Sequence, residues 1–138
     1  MAISTQLSTA EIIRVGDAAY AGKTVNVILC SVGATGYNSS SSVADWQSVE
    51  LSGNGYVAYS EVLASPSAGT YNNASGRYEI PTITAVFTAS GGVLTYDRLI
   101  IYISGAPDVL HSVLTESPAI SIVDGGSQTY KIDLITDD

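Results

Sequence analysis

Cationic side chains are scarce in this chain. Five Lys and Arg stand against 13 Asp and Glu in 138 residues, a formal net charge of −8. Arg14, Lys23, Arg77, Arg98 and Lys131 are scattered along the sequence. No basic stripe forms, so direct binding to nucleic acid is not expected. Cysteine and histidine occur once each. Cys30 alone excludes an intrachain disulfide and a cysteine-based zinc site. Inside "VNVILCS" it reads as a small buried hydrophobe. No apolar run approaches the roughly 18 residues of a membrane helix. The opening "MAISTQLSTAEIIR" has neither the basic start nor the apolar stretch of a signal peptide. No membrane partner is expected. Charged residues make up 13% of the chain, against about 25% in typical domains. A neutral, Ser-, Thr- and Gly-rich surface suits a protein packed against others.

Catalytic chemistry needs titratable groups that converge, and this sequence has few. His111, in "VLHSVL", is expected on the side of Val109 and Val113, as a partly buried imidazole. There is no G-x-S-x-G elbow to raise a serine nucleophile. "GATG", "GNG" and "GG" are not followed by the helix and lysine of a phosphate loop. Asp124 and Asp137-Asp138 lack the ligand spacing of a calcium loop. The sequons at Asn38 and Asn73 read as coincidence in a Ser-rich chain. No catalytic residue, metal ligand or cofactor is assigned, and no enzymatic activity is expected.

Periodicity supplies the fold. Ser8 is a candidate N-cap, with Glu11 closing a capping box; a short helix follows, limited by Gly16 and Gly22. After Lys23 the period becomes two. "TVNVILC" (24–30), "WQSVEL" (46–51), "YVAYSEVL" (56–63), "YEIPTITAVFTA" (78–89) and "TYDRLIIYISG" (95–105) read as strands. So do "VLHSVLTE" (109–116), interrupted by Pro118 before "AISIV" (119–123), and the closing "TYKIDLIT". Gly53-Asn54-Gly55 is a turn, and Gly91-Gly92 predicts a hairpin between the fourth and fifth of these strands. Residues 33–42 and 64–76 are polar loops. The expectation is a mainly β chain: one β-sandwich domain over 1–138, jelly-roll or Ig-like, with seven or eight strands, one short N-terminal helix and an arm at 1–8.

Leu99, Ile100, Ile101, Tyr102 and Ile103 are apolar in succession. A strand alternates its side chains, so both faces of this one need cover. One face is assigned to the core, the other to the N-terminal helix and a second protein. Nine Tyr and one Trp are the other conspicuous residues. Tyr37, Trp46, Tyr56, Tyr59 and Tyr71, with Ile100 and Tyr102, are the candidate interface residues, beside the two loops and the arm. A carbohydrate-binding module, with Trp46 and loop tyrosines as a stacking platform, is the reading from a different class.

The order of landmarks resembles a family of small tailed-bacteriophage virion proteins, labelled capsid decoration (cement) or tail-fibre proteins. The landmarks are "STAEIIRVGDAAYAGK", "TVNVILCSVGATG", "GNGYVAYSEV" with Gly55-Tyr56, "IPTITAVFTASGGVLTYDRLIIYI" and "GGSQTYKIDLITDD". They cover about residues 8–136, and the chain departs from the family at Ala58 and Tyr59, where the family often carries Arg. The resemblance implies a non-enzymatic structural protein on the capsid surface of a virion. It would bridge major capsid protein subunits alongside other virion proteins, as a homo-oligomer with a trimer favoured. A tail, neck or fibre position is the alternative within the same family.

Overall fold

The computed structural model describes residues 7–33 and 36–134. Most of the arm 1–8, part of the loop 33–42 and the Asp137-Asp138 pair lie outside them. The described chain is mainly β. Its elements are α1 (Thr9–Tyr20), β1 (Thr24–Cys30), α2 (Val43–Gln47), β2 (Tyr59–Val62), β3 (Thr70–Asn72), β4 (Arg77–Glu79), β5 (Ile83–Thr88), β6 (Leu94–Ile103), β7 (Val109–Ile122) and β8 (Ser127–Ile132). They fall into two compact units. One takes the chain up to Lys23, Val62–Ile83 and the residues from Lys131; the other takes Thr24–Glu61 and Thr84–Tyr130.

In the first unit α1 contacts the antiparallel hairpin β3–β4. The Ser8 side chain caps α1 by accepting from the Glu11 amide at 3.1 Å. The expected capping box is only half made, because the Glu11 carboxylate turns to Arg14 instead. Gly16 does not end the helix. It lies mid-helix, buried against the Tyr78 ring, where a Cβ would come within 2.4 Å of the ring carbons. The glycine weakens the helix by about 1 kcal/mol relative to alanine, and in return the backbone sits flat on the aromatic face. Asp17, one residue on, accepts from the Tyr78 hydroxyl at 2.8 Å and from Ser67 at 2.6 Å. The same Tyr78 hydroxyl accepts from the Ala68 amide at 3.1 Å. Burial pushes the Tyr78 pKa up.

The second unit is organised on β6. A four-stranded sheet runs in the order β2-β1-β6-β7. The antiparallel register sets Val25, Val27 and Leu29 of β1 against Ile103, Ile101 and Leu99 of β6, on one face. Ile28 and Ile100 oppose each other on the second face. Both faces are buried. On the second face Ile28, Cys30 and Ile100 cluster with Val32 and Trp46, and Tyr37, Val49, Tyr102, Leu110 and Val113 pack around them. The chain itself closes this face, with α2 and the loop before it, where the sequence pointed to α1 and a second protein.

Other departures have local causes. Residues 46–51 open in a helix, because Ser42 and Asp45 form a reciprocal capping box, each side chain bonded to the other's backbone amide at 3.1 and 3.0 Å. The run 78–89 is cut into β4 and β5 around Pro81, which cannot donate to a ladder. The polar loop 64–76 contains β3, paired with β4. The strand at 56–63 shortens to β2. β5 and β6 form no hairpin: β5 pairs with β8 and β6 with β1 and β7, so the Gly91-Gly92 connection passes between sheets. β7 runs through Pro118, because residues 116–119 bulge out against the single residue Asp97. A second register shift leaves His111 extra between Leu110 and Ser112. Val113 therefore packs on the Trp46 cluster while Val109 stays exposed, and the two do not share a face.

Gly16→Ala should destabilise the protein by about 1–3 kcal/mol through overpacking against Tyr78, outweighing the gain in helix propensity. Urea unfolding monitored by circular dichroism checks this; an unchanged or raised midpoint would show that the contact yields.

Candidate assembly surface

The residues singled out from the sequence divide by burial. Trp46 and Ile100 are fully buried, so neither offers a surface for another molecule. The Trp46 ring lies 5.4 Å from that of Tyr37, and its peptide carbonyl accepts the Cys30 thiol at 3.3 Å. Burial pushes the Cys30 pKa up to about 12, so this thiol stays protonated and unreactive. Tyr37, Tyr56, Tyr59, Tyr71 and Tyr102 are half-buried. Tyr102 accepts from the Gln47 amide group at 3.2 Å and Tyr59 donates to Glu61 at 3.3 Å. Tyr71 belongs to the first unit and the other four to the second.

Tyr56 has a structural task. β2 ends before it can cover the far end of β1, and something else must satisfy that edge. The segment 49–51 supplies two bonds, Ser31 N to Val49 O at 3.2 Å and Leu51 N to Leu29 O at 2.9 Å. The Leu29 amide donates to the Tyr56 hydroxyl at 3.1 Å, which in turn donates to the Glu50 carboxylate at 2.6 Å. The Tyr56 ring stacks on Phe87 of β5 at 6.2 Å; Phe87 meets Tyr130 of β8 edge-on, and Tyr130 meets Tyr96 of β6. The Tyr96 and Tyr130 hydroxyls are hydrogen-bonded to each other. Burial first, then an acceptor at the hydroxyl, raises the pKa of both Tyr56 and Tyr96.

Three exposed valines stand at a different place, on loops bonded to one another. Three loops of the second unit are tied to one another by backbone and amide bonds. Ser90 N donates to Asn54 O at 2.9 Å, and Asn54 Nδ2 donates to Val93 O at 3.0 Å. Gly91 N donates to Asp124 Oδ1 at 2.9 Å, and Gly125 N to Ala89 O at 2.8 Å. Gly53, Asn54, Gly55, Gly91 and Gly125 all have positive φ, which glycine and asparagine adopt at least cost. The loops touch closely: a Cβ on Gly55 would meet Ser90 at 2.9 Å. Each of these loops carries an exposed valine: Val57 at 75%, Val93 at 49% and Val123 at 65% of its full accessible surface. A sequence signal for this apex existed, since each valine stands within two residues of a turn glycine or of Asp124, in "NGYV", "GGV" and "VDGG".

The loop 33–42 is anchored where it begins. Both Asp97 oxygens accept from its backbone, Oδ1 from Val32 N at 3.0 Å and Oδ2 from Gly33 N at 2.8 Å. Arg98 Nη1 lies 3.4 Å from Asp97 Oδ2. In the first unit, residues 67–70, 79–82 and Asp133 line a cleft of about 600 Å³ of mixed polar and apolar character. Thr82 donates to Asp133 at 2.5 Å and Ser75 to Glu79 at 2.9 Å. Elsewhere, His111 Nδ1 meets the hydroxyl of its neighbour Ser112 at 2.6 Å, and burial lowers its pKa. Among the described residues, no three His, Cys, Asp or Glu side chains are grouped so as to hold a metal ion, and no helix is long and apolar enough to cross a membrane.

No known protein family, curated protein or solved structure matches the chain.

Because folding raises the Tyr56 and Tyr96 pKa values, the unfolded chain ionises first. Their stabilising effect is complete below pH about 10, the ordinary tyrosine value, and falls as pH rises further. Tyr56→Phe should cost about 1–3 kcal/mol at neutral pH by orphaning the Leu29 amide, and should reduce the alkaline loss. Unfolding midpoints across neutral and alkaline pH check both; a variant as stable as the parent would mean that water replaces the hydroxyl.

Proposed function

We propose that this protein is a non-enzymatic structural component of a tailed-phage virion, a capsid decoration (cement) protein that bridges major capsid protein subunits as an oligomer, with a trimer favoured. The resemblance in landmark order supplies the partner. The valine-bearing apex supplies the mechanism, and it is the observation that carries the reading. Full burial of a valine side chain contributes roughly 1.5–3 kcal/mol. Three of them on loops already fixed by hydrogen bonds lose little further entropy on docking. A standard interface of about 1,600 Å² suffices for specific binding, and multivalent attachment raises avidity roughly 10²–10⁴-fold without new contacts.

In this reading the second unit is a two-layer sandwich. The four-stranded sheet and the β5–β8 pair are its layers, joined by the chain of rings Tyr56, Phe87, Tyr130 and Tyr96. A sugar-stacking role fares less well, because the buried Trp46 leaves that platform to half-buried tyrosines.

The test uses purified protein and expanded, undecorated heads. The protein should sediment with the heads and raise the temperature at which they rupture. Replacing Val57 and Val123 together by Asp should weaken attachment by at least about tenfold, the effect of losing some 1.4 kcal/mol of contact, without changing the unfolding midpoint of the free protein. Sedimentation with tails and not heads would move the protein to the tail or neck. Attachment indifferent to the double substitution would remove the apex from the interface.

A further inference from the structure

The Asn54-Gly55 pair at the apex has a chemistry that the assembly role does not use. In an open chain, a glycine after asparagine leaves the following amide unhindered. The Gly55 nitrogen attacks Asn54 Cγ, the Cγ–Nδ2 bond breaks, and Nδ2 leaves as ammonia, taking up the amide proton. The resulting five-membered succinimide is then opened by water at either carbonyl, to aspartate or isoaspartate. No other reactant is needed, and the side chain gains a negative charge.

Asn54 is exposed, yet its carboxamide is held. Nδ2 donates to the Val93 carbonyl at 3.0 Å. The side chain also lies against Gly92, so closely that a Cβ there would come within 2.6 Å of Cγ and Oδ1. The backbone is fixed as well: Asn54 has φ 51°, between Gly53 and Gly55 at φ 77° and 78°. Tyr56 N bonds back to Gly53 O at 3.0 Å, and Ser90 N bonds to Asn54 O at 2.9 Å. Attack requires the carboxamide to leave Val93 and swing over the Gly55 amide. The same contacts that make the apex rigid thus keep the electrophile away from its nucleophile.

We propose that Asn54 is a deamidation site that the closed apex protects, and that becomes reactive whenever the three loops part. Conversion is irreversible for the apex: an acid at position 54 has no donor for Val93 O, and the isoaspartate form adds a methylene to a backbone in the left-handed region. A chain that opens and ages would lose the knitted loops between Val57, Val93 and Val123.

The experiment incubates the full-length protein in one mildly alkaline buffer, below the tyrosine range, with and without denaturing urea. Peptide mapping by mass spectrometry follows the conversion of Asn54. The native rate should be at least about tenfold below the unfolded rate, because reaction then waits on local opening. Equal rates would overturn the proposal. Gly92→Ala should expel the carboxamide and bring the native rate towards the unfolded one, with circular dichroism showing that the fold persists. A folded Gly92→Ala protein that reacts no faster than the parent would overturn the role given to the Gly92 contact. Should that variant fail to fold, the two parental rates still decide the proposal.

Discussion

The second unit depends on one constraint: β6 is apolar on both of its faces. Leu99, Ile101 and Ile103 look one way and Ile100 the other, and all four are buried. A central strand of this kind has no wet side, so its neighbours must supply cover above and below it. On the Ile100 face the largest covering side chain is Trp46, packed there with Val32, Tyr37 and Val49 and carried by a five-residue helix too short to be stable alone. The helix holds because Ser42 and Asp45 cap it reciprocally and because Trp46 and Val43 are buried. The loop leading into it begins at the Asp97 carboxylate, one residue along β6 from Arg98. The strand that needs covering therefore carries the carboxylate that positions the loop ahead of its cover.

Much of the architecture was legible where periodicity was clean. β1 appears over the residues that "TVNVILC" marks, and β8 takes in the first half of "TYKIDLIT", ending at Ile132. The Ser8 cap was legible too, since an N-cap acts through its immediate neighbours. What the sequence hid was non-local. Nothing in "WQSVEL" shows that Ser42, four residues before it, starts a helix instead of continuing a loop. The Gly91-Gly92 turn looks like a hairpin because local residues specify a reversal, not the strand that will be met after it. β7 was misread at His111 and Pro118 because a bulge changes the facing of every later side chain. The interface candidates were chosen as aromatics near loops. That rule selected Trp46, which the core required, and did not consider the valines beside glycines that the fold leaves exposed.

The apex shows why glycine content and rigidity are compatible. A glycine costs conformational entropy when it is fixed, and the apex fixes several. Two of them are held by bonds to another loop, Gly91 to Asp124 and Gly125 to Ala89. The close approach of Gly55 to Ser90 and of Gly92 to Asn54 leaves no room for a side chain. The ordering cost is met during folding, so the exposed valines are presented on a surface with few alternatives left to lose. Loops of the same composition without these cross-links would keep that freedom in the folded chain.

The longest free edge on the described sheet is β7, and it is a poor place to add a strand. It ends the order β2-β1-β6-β7, and an uninterrupted edge of that length would invite pairing with another chain. Its bulges at His111 and at 116–119 break the ladder, and Pro118 removes a donor in the second of them. Only short straight stretches remain between. These are devices that keep sheet edges from joining nonspecifically. Recognition by main-chain hydrogen bonding, which is indifferent to partner sequence, is thus suppressed along β7. Side chains on the fixed loops are untouched by these interruptions.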